Sequence, residues 1–176
     1  MQPASAIDIQ SAVSLLTKTP QLLETLLADL PGGLFDWKPK PDRWSISEVL
    51  AHLAALEQVY GERVRRILAE DSPPLAKYDL EGAKARGEYS RGSAGENLAH
   101  FTRTRRSALA MLTHLPAPAG ARTAIHSELG TITLAHLLHE WASHDLGHLR
   151  QIAELYRAYA FYPNSGPFMK YSNPQP

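Results

Sequence analysis

The sequence predicts an all-α fold, a bundle of four amphipathic helices. Apolar residues recur at helical spacing in four long stretches. Two of these open on a Ser-x-x-Glu pattern, in which the serine accepts from an early amide and the glutamate reaches back. Strand signal is almost absent. At 176 residues the chain is long enough to bury a core, and is read as one domain over residues 1–176 with an irregular tail from about residue 161.

The first helix is expected over Ile7 to Leu30, with leucines at 15, 16, 22, 23, 26, 27 and 30. Thr19-Pro20 should interrupt it, with Thr19 capping a second piece and Pro20 in its first turn. Pro31-Gly32-Gly33 stops that piece. After a loop rich in proline and aromatics, Ser45 and Glu48 form the first capping box, and the second helix runs from Ser45 to Glu70. Its inward stripe is Val49, His52, Leu56, Val59, Tyr60 and Ile67. Residues 73–92 are polar and read as a connection with room for one short helical turn. Ser93 and Glu96 open the third helix, which ends near Leu115, before Pro116. In the next loop Thr123 to His126 could be extended, but so short a piece should not make a sheet. The fourth helix is expected from Thr131 to Ala160.

Composition excludes several functions. There are no cysteines, so disulfides, thiolate nucleophiles and cysteine-held metals are ruled out. Eighteen basic residues balance eighteen acidic ones, which leaves no electrostatic footprint for nucleic acid. The local strip Arg103-Thr104-Arg105-Arg106 is read as a solvated helix face. No apolar run approaches the roughly 20 residues needed to span a bilayer, and residues 1–30 lack a secretory pattern. The expected location is the cytoplasm.

The informative feature is a histidine pair, His144 and His148, inside the fourth helix. A spacing of i, i+4 places both on one face, together with Leu137, Trp141 and Leu155, so the pair points inward. Two imidazoles there can grip one divalent ion. Catalytic metals usually keep three protein ligands and an open position, so a third is needed. His52 lies on the apolar stripe of the second helix, which a bundle can bring against the fourth. His139 falls roughly 140° from His144 and should face solvent or a partner chain. His136 is about 80° away and two turns distant, a poor co-ligand. His100 and His114 sit on the third helix and His126 in a loop, where a surface or hydrogen-bonded histidine is the plainer reading.

Three segments carry a resemblance. They are Trp44-Ser45-Ile46-Ser47-Glu48-Val49-Leu50-Ala51-His52-Leu53-Ala54, Glu128-Leu129-Gly130, and His144-Asp145-Leu146-Gly147-His148-Leu149-Arg150-Gln151-Ile152. In their order and spacing the chain resembles the DinB-like superfamily of four-helix bundles, which includes the YfiT-type metal-dependent hydrolases. The resemblance implies an up-down-down-up bundle with long connecting loops. It implies a metal held by His52, His144 and His148, with zinc or nickel as the ion, although three neutral nitrogens also suit cobalt or copper. It also implies a hydrolase, or a transferase or isomerase that uses a low-molecular-weight thiol on a small-molecule substrate. The alternative is a non-catalytic metal-binding or structural bundle, such as a stress-response protein. The DNA-damage association in the family name gives no warrant for DNA binding.

An ion at such a site lowers the pKa of bound water, toward about 7 for zinc. No catalytic side chain can be named. Glu140, Gln151 and Glu48 are candidates to hold the ligand rings, with capping favoured for Glu48 and plain surface positions open for the other two. Asp145, about 100° from His144, should pair with another helix. Trp44 and Trp141 could line a pocket or simply fill the core. The resemblance further implies a homodimer, for which Leu146, Ala153 and His139 are candidate contacts; covering another helix of the same chain is an equal alternative.

Overall fold

The computed structural model describes residues 8–171 and 174. Ile7, expected to start the first helix, lies outside them. Four long helices carry the fold: α1 (Gln10–Leu27), α2 (Ile46–Ala69), α4 (Ala94–Leu112) and α5 (Leu134–Tyr156). A short α3 (Leu80–Ala85) and a 3₁₀ turn over Glu88–Ser90 occupy the connection between α2 and α4. Both expected capping boxes form, Ser45 with Glu48 and Ser93 with Glu96. A third opens α5, where the Thr133 hydroxyl accepts from the His136 amide and His136 Nδ1 accepts from the Thr133 amide.

The core has two levels, and they fix the directions of the helices. One level gathers Ala12 and Leu16 of α1, Tyr60 and Val64 of α2, Ala108 and Leu112 of α4, and Leu138 and Trp141 of α5. The other gathers Leu23 and Leu27, Ile46 and Leu50, Phe101, and Ile152 and Leu155. Thus α1 and α5 descend from the first level to the second while α2 and α4 rise, which is the up-down-down-up order. Each of α1 and α2 packs on both α4 and α5. Because α2 and α4 are parallel neighbours, the chain between them must travel the full bundle length, and residues 70–93 do this.

Three expectations are corrected. First, α1 is continuous through Pro20. Thr19 does not cap; it is buried and its hydroxyl donates to the Leu15 carbonyl at 3.1 Å. Proline removes only one rung, the bond an N–H at position 20 would make to Leu16, and that carbonyl finds another donor. Second, a three-stranded sheet exists. Strand β2 (Thr123–His126) pairs antiparallel with β3 (Gly130–Thr133), and β1 (Pro74–Leu75) pairs parallel with β2. The turn uses Gly130 at φ 71°, a conformation glycine adopts without strain. The strand takes residues 131–133, so α5 starts at Leu134, and it ends at Tyr156 in a π turn over Arg157–Phe161. Arg122, beside β2, donates to the carbonyls of Ile67 and Glu70 and so closes the end of α2. Third, Arg105 is fully buried, whereas Arg103 and Arg106 are exposed as expected.

No described helix is long and apolar enough to cross a membrane.

Candidate metal centre

His52 of α2 and His144 and His148 of α5 meet where the antiparallel α2 and α5 face each other. Their Nε2 atoms converge. His52 to His144 is 3.1 Å and His144 to His148 is 3.2 Å, and ligand atoms of all three lie within 4.8 Å of one another. Two ligands bound at 2.0–2.1 Å to one tetrahedral ion stand roughly 3.3 Å apart, so the spacing suits a shared cation.

The proton count points the same way. His148 Nδ1 faces Gln151 Oε1 at 2.9 Å, which requires the ring proton on Nδ1 and leaves the Nε2 lone pair turned to the cluster. His144 Nε2 has two ring neighbours and at most one proton to offer. His52 Nδ1 is buried with no hydrogen-bond partner among the described residues, so that ring has its polar contact only through Nε2. Neutral rings cannot satisfy all these contacts at once. A divalent ion satisfies every Nε2.

Electrostatics keep the rings neutral and ready to ligate. Burial, then the neighbouring rings, pushes His52 down to about 3. Burial, then His148 and Arg105, pushes His144 down to about 3. Burial also lowers His148, against the opposing pull of Gln151 and Asp145.

Aromatic rings wall the cluster. Trp44 packs edge-on to His52 at 4.9 Å and lies parallel to His148 at 6.3 Å. Tyr89 stands edge-on to His52 at 5.1 Å, and its hydroxyl bonds that of Tyr78 at 2.7 Å. Tyr60 is edge-on to His144 at 5.7 Å and stacks on Trp141 at 5.0 Å. A cavity of about 520 Å³ opens over His144 and His148, bounded by Trp44, Gly147, Arg150 and Gln151. A Cβ added at Gly147 would meet nothing within 4 Å.

Of the residues named as ring supports, Gln151 is in place. Glu48 is occupied by its capping box and by Lys38 at 2.6 Å. Glu140 is exposed and bonds no ligand ring, because the 40° offset per turn carries it outward. Trp44 lines the cavity and Trp141 is core. Asp145 does pair with another helix, bonding Arg105 of α4. The remaining histidines lie away from the cluster, and His114 is exposed in the turn after α4, not on the helix. His136 caps α5, His100 sits 3.0 Å from Gln58, and His126, in β2, accepts from the amides of Glu128 and Leu129. His139 is half-exposed, and its ring nitrogen lies 2.8 Å from the carbonyl of the exposed Asp8, beside the start of α1. Tyr89 was missed, being one of two tyrosines in a polar connection, and so was the buried role of Arg105.

A family model described as the DinB superfamily matches residues 15–152. The chain belongs to the DinB superfamily. No curated protein matches it significantly. Among solved structures, this DinB chain is similar to YfiT from Bacillus subtilis, described as a probable metal-dependent hydrolase with an unusual four-helix bundle topology. The TM-score is 0.79 at 21% identity, over 90% of this chain and 93% of that one. At that identity the likeness establishes the fold.

Proposed function

We propose that this DinB protein is a metal-dependent enzyme whose ion is held by His52, His144 and His148. The observation that carries the reading is the convergence of three Nε2 atoms at 3.1 and 3.2 Å beside an open cavity. The description of YfiT supports it. Zinc or nickel is the proposed ion; once bound, it would supply Lewis acidity toward a water or a thiol. His52, His144 and His148 would hold it. Gln151 orients His148 through Nδ1. Trp44 and Tyr89 exclude water from His52. The cavity beside His144 and His148 admits a small molecule, and Arg150 at its edge offers a cation to an anionic group.

The reaction is proposed as hydrolysis or transfer from a low-molecular-weight thiol, in the cytoplasm. The half-exposed Leu146 is the proposed centre of a homodimer contact, and a solution mass of about one chain at micromolar protein would remove it.

A screen tests the reading. Activated esters, amides and thiol-transfer substrates are offered to protein loaded with zinc, nickel or manganese. Turnover should depend on the ion and vanish in His148→Ala. Turnover that survives complete metal removal would refute it.

A further inference from the structure

We propose that Arg105 is the positioning residue of the metal site. Its guanidinium sets the separation of α2 from α5, and so of His52 from the His144–His148 pair. The proposal rests on the tri-histidine reading above.

Arg105 is 0% exposed, and its two carboxylate partners, Glu57 and Asp145, are each 1% exposed. The contacts form two forks. Toward Glu57 of α2, Nε donates to Oε2 at 2.8 Å and Nη2 to Oε1 at 2.5 Å. Toward Asp145 of α5, Nη1 donates to Oδ2 at 2.8 Å and Nη2 to Oδ1 at 3.0 Å. A fifth bond runs from Nη1 to the Leu16 carbonyl of α1 at 2.8 Å. One side chain on α4 therefore ties the other three long helices. The faces of the guanidinium are covered as well, by Phe101 at 4.8 Å and Trp141 at 5.1 Å. Trp141 also donates its indole N–H to Glu57 at 2.9 Å.

Pro20 belongs to the same arrangement. The Leu16 carbonyl is the one that an N–H at position 20 would have taken in a regular helix. Proline leaves it without that donor, and Arg105 occupies it.

The clasp sits directly behind the ligands. Asp145 follows His144 in sequence, and Glu57 lies five residues after His52 on the same helix. An offset of either helix would displace its ligand. Apolar side chains of the same volume hold helices together as well as a buried ion pair or better. They slide, however, whereas a planar cation gripping two carboxylates bidentately has one low-energy geometry.

Zinc affinity by chelator competition, the visible absorption of the cobalt(II) form and the melting temperature of the metal-free protein are measured together. The variants are Arg105→Lys, Glu57→Gln, and a triple apolar replacement, Arg105→Met with Glu57→Met and Asp145→Leu. The triple variant should melt near the wild type without metal yet bind zinc at least about tenfold more weakly, the scale of lost ligand support, with an altered cobalt spectrum. Arg105→Lys and Glu57→Gln should also weaken zinc. Ser93→Ala, which loses only the cap of α4, should lower the melting temperature and leave zinc affinity unchanged. Unchanged affinity and spectrum in any folded clasp variant overturns the proposal. So does failure of all three to fold, since the clasp is then a requirement of the bundle alone. If the wild type itself binds no zinc, the tri-histidine reading falls first, and the two failures are told apart by that control.

Discussion

Acidification should destabilise the metal-free protein through its clustered histidines. Burial first, then neighbouring charge, holds His52 and His144 at about 3 in the folded chain, against about 6.5 when unfolded. The folded state keeps both rings neutral while the unfolded chain takes up protons below pH 6.5. Their contribution is therefore complete above pH 6.5 and is lost progressively as the pH falls toward 3. Each proton costs about 1.4 kcal/mol per pH unit, so the two rings together remove about 4 kcal/mol at pH 5. That is a large part of the roughly 5–15 kcal/mol typical of a domain. Urea unfolding in chelator at pH 5, 6, 7 and 8 measures it. With a slope near 2 kcal/mol/M the midpoint should drop by about 2 M between pH 7 and pH 5. The double variant His52→Gln with His144→Gln should lose much less. Parallel losses in wild type and variant would refute the reasoning, as would a wild-type midpoint that does not move.

Further tests address single side chains. Gln151→Leu removes the acceptor for His148 Nδ1 and should weaken zinc binding by about 10–100-fold, whereas Glu140→Gln should bind zinc as the wild type does; both are read by chelator competition. Gly147→Phe should fill the cavity, abolishing any turnover found while zinc affinity is kept, and retained turnover would place the substrate elsewhere. Pro20→Ala should stabilise by less than the roughly 3 kcal/mol expected for a proline in a helix interior, because the new N–H competes with Arg105 for the Leu16 carbonyl; calorimetry showing the full gain would contradict that.

The helices were legible because local physics sets them. Serine caps at 45 and 93 and apolar spacing act within a turn or two. The His144–His148 pair was legible for the same reason, and His52 because it shares a stripe with Val49 and Leu56. The sheet was not legible. Pro74–Leu75 and Thr123–His126 are about fifty residues apart, and a strand so short exists only through that pairing. Thr131–Thr133 was therefore read as helix. Arg105 was misread by its neighbours in sequence, since three arginines in four positions look solvated. A signal was nevertheless present. Phe101, Arg105, Ala108 and Leu112 form one buried stripe of α4. Glu57 and Asp145 likewise interrupt inward stripes of α2 and α5. One cation and two anions on three inward faces can be buried only by meeting. The long Pro20-bearing helix followed the same logic, as its broken rung is repaired from another helix and not within α1.

The most direct test is diffraction from zinc- or nickel-soaked crystals, recorded on either side of the metal absorption edge. One anomalous peak per chain is expected within about 2.0–2.2 Å of Nε2 of His52, His144 and His148, with a further position open toward Trp44 and Gly147. A peak elsewhere, or none while the three rings keep their mutual contacts, would contradict it.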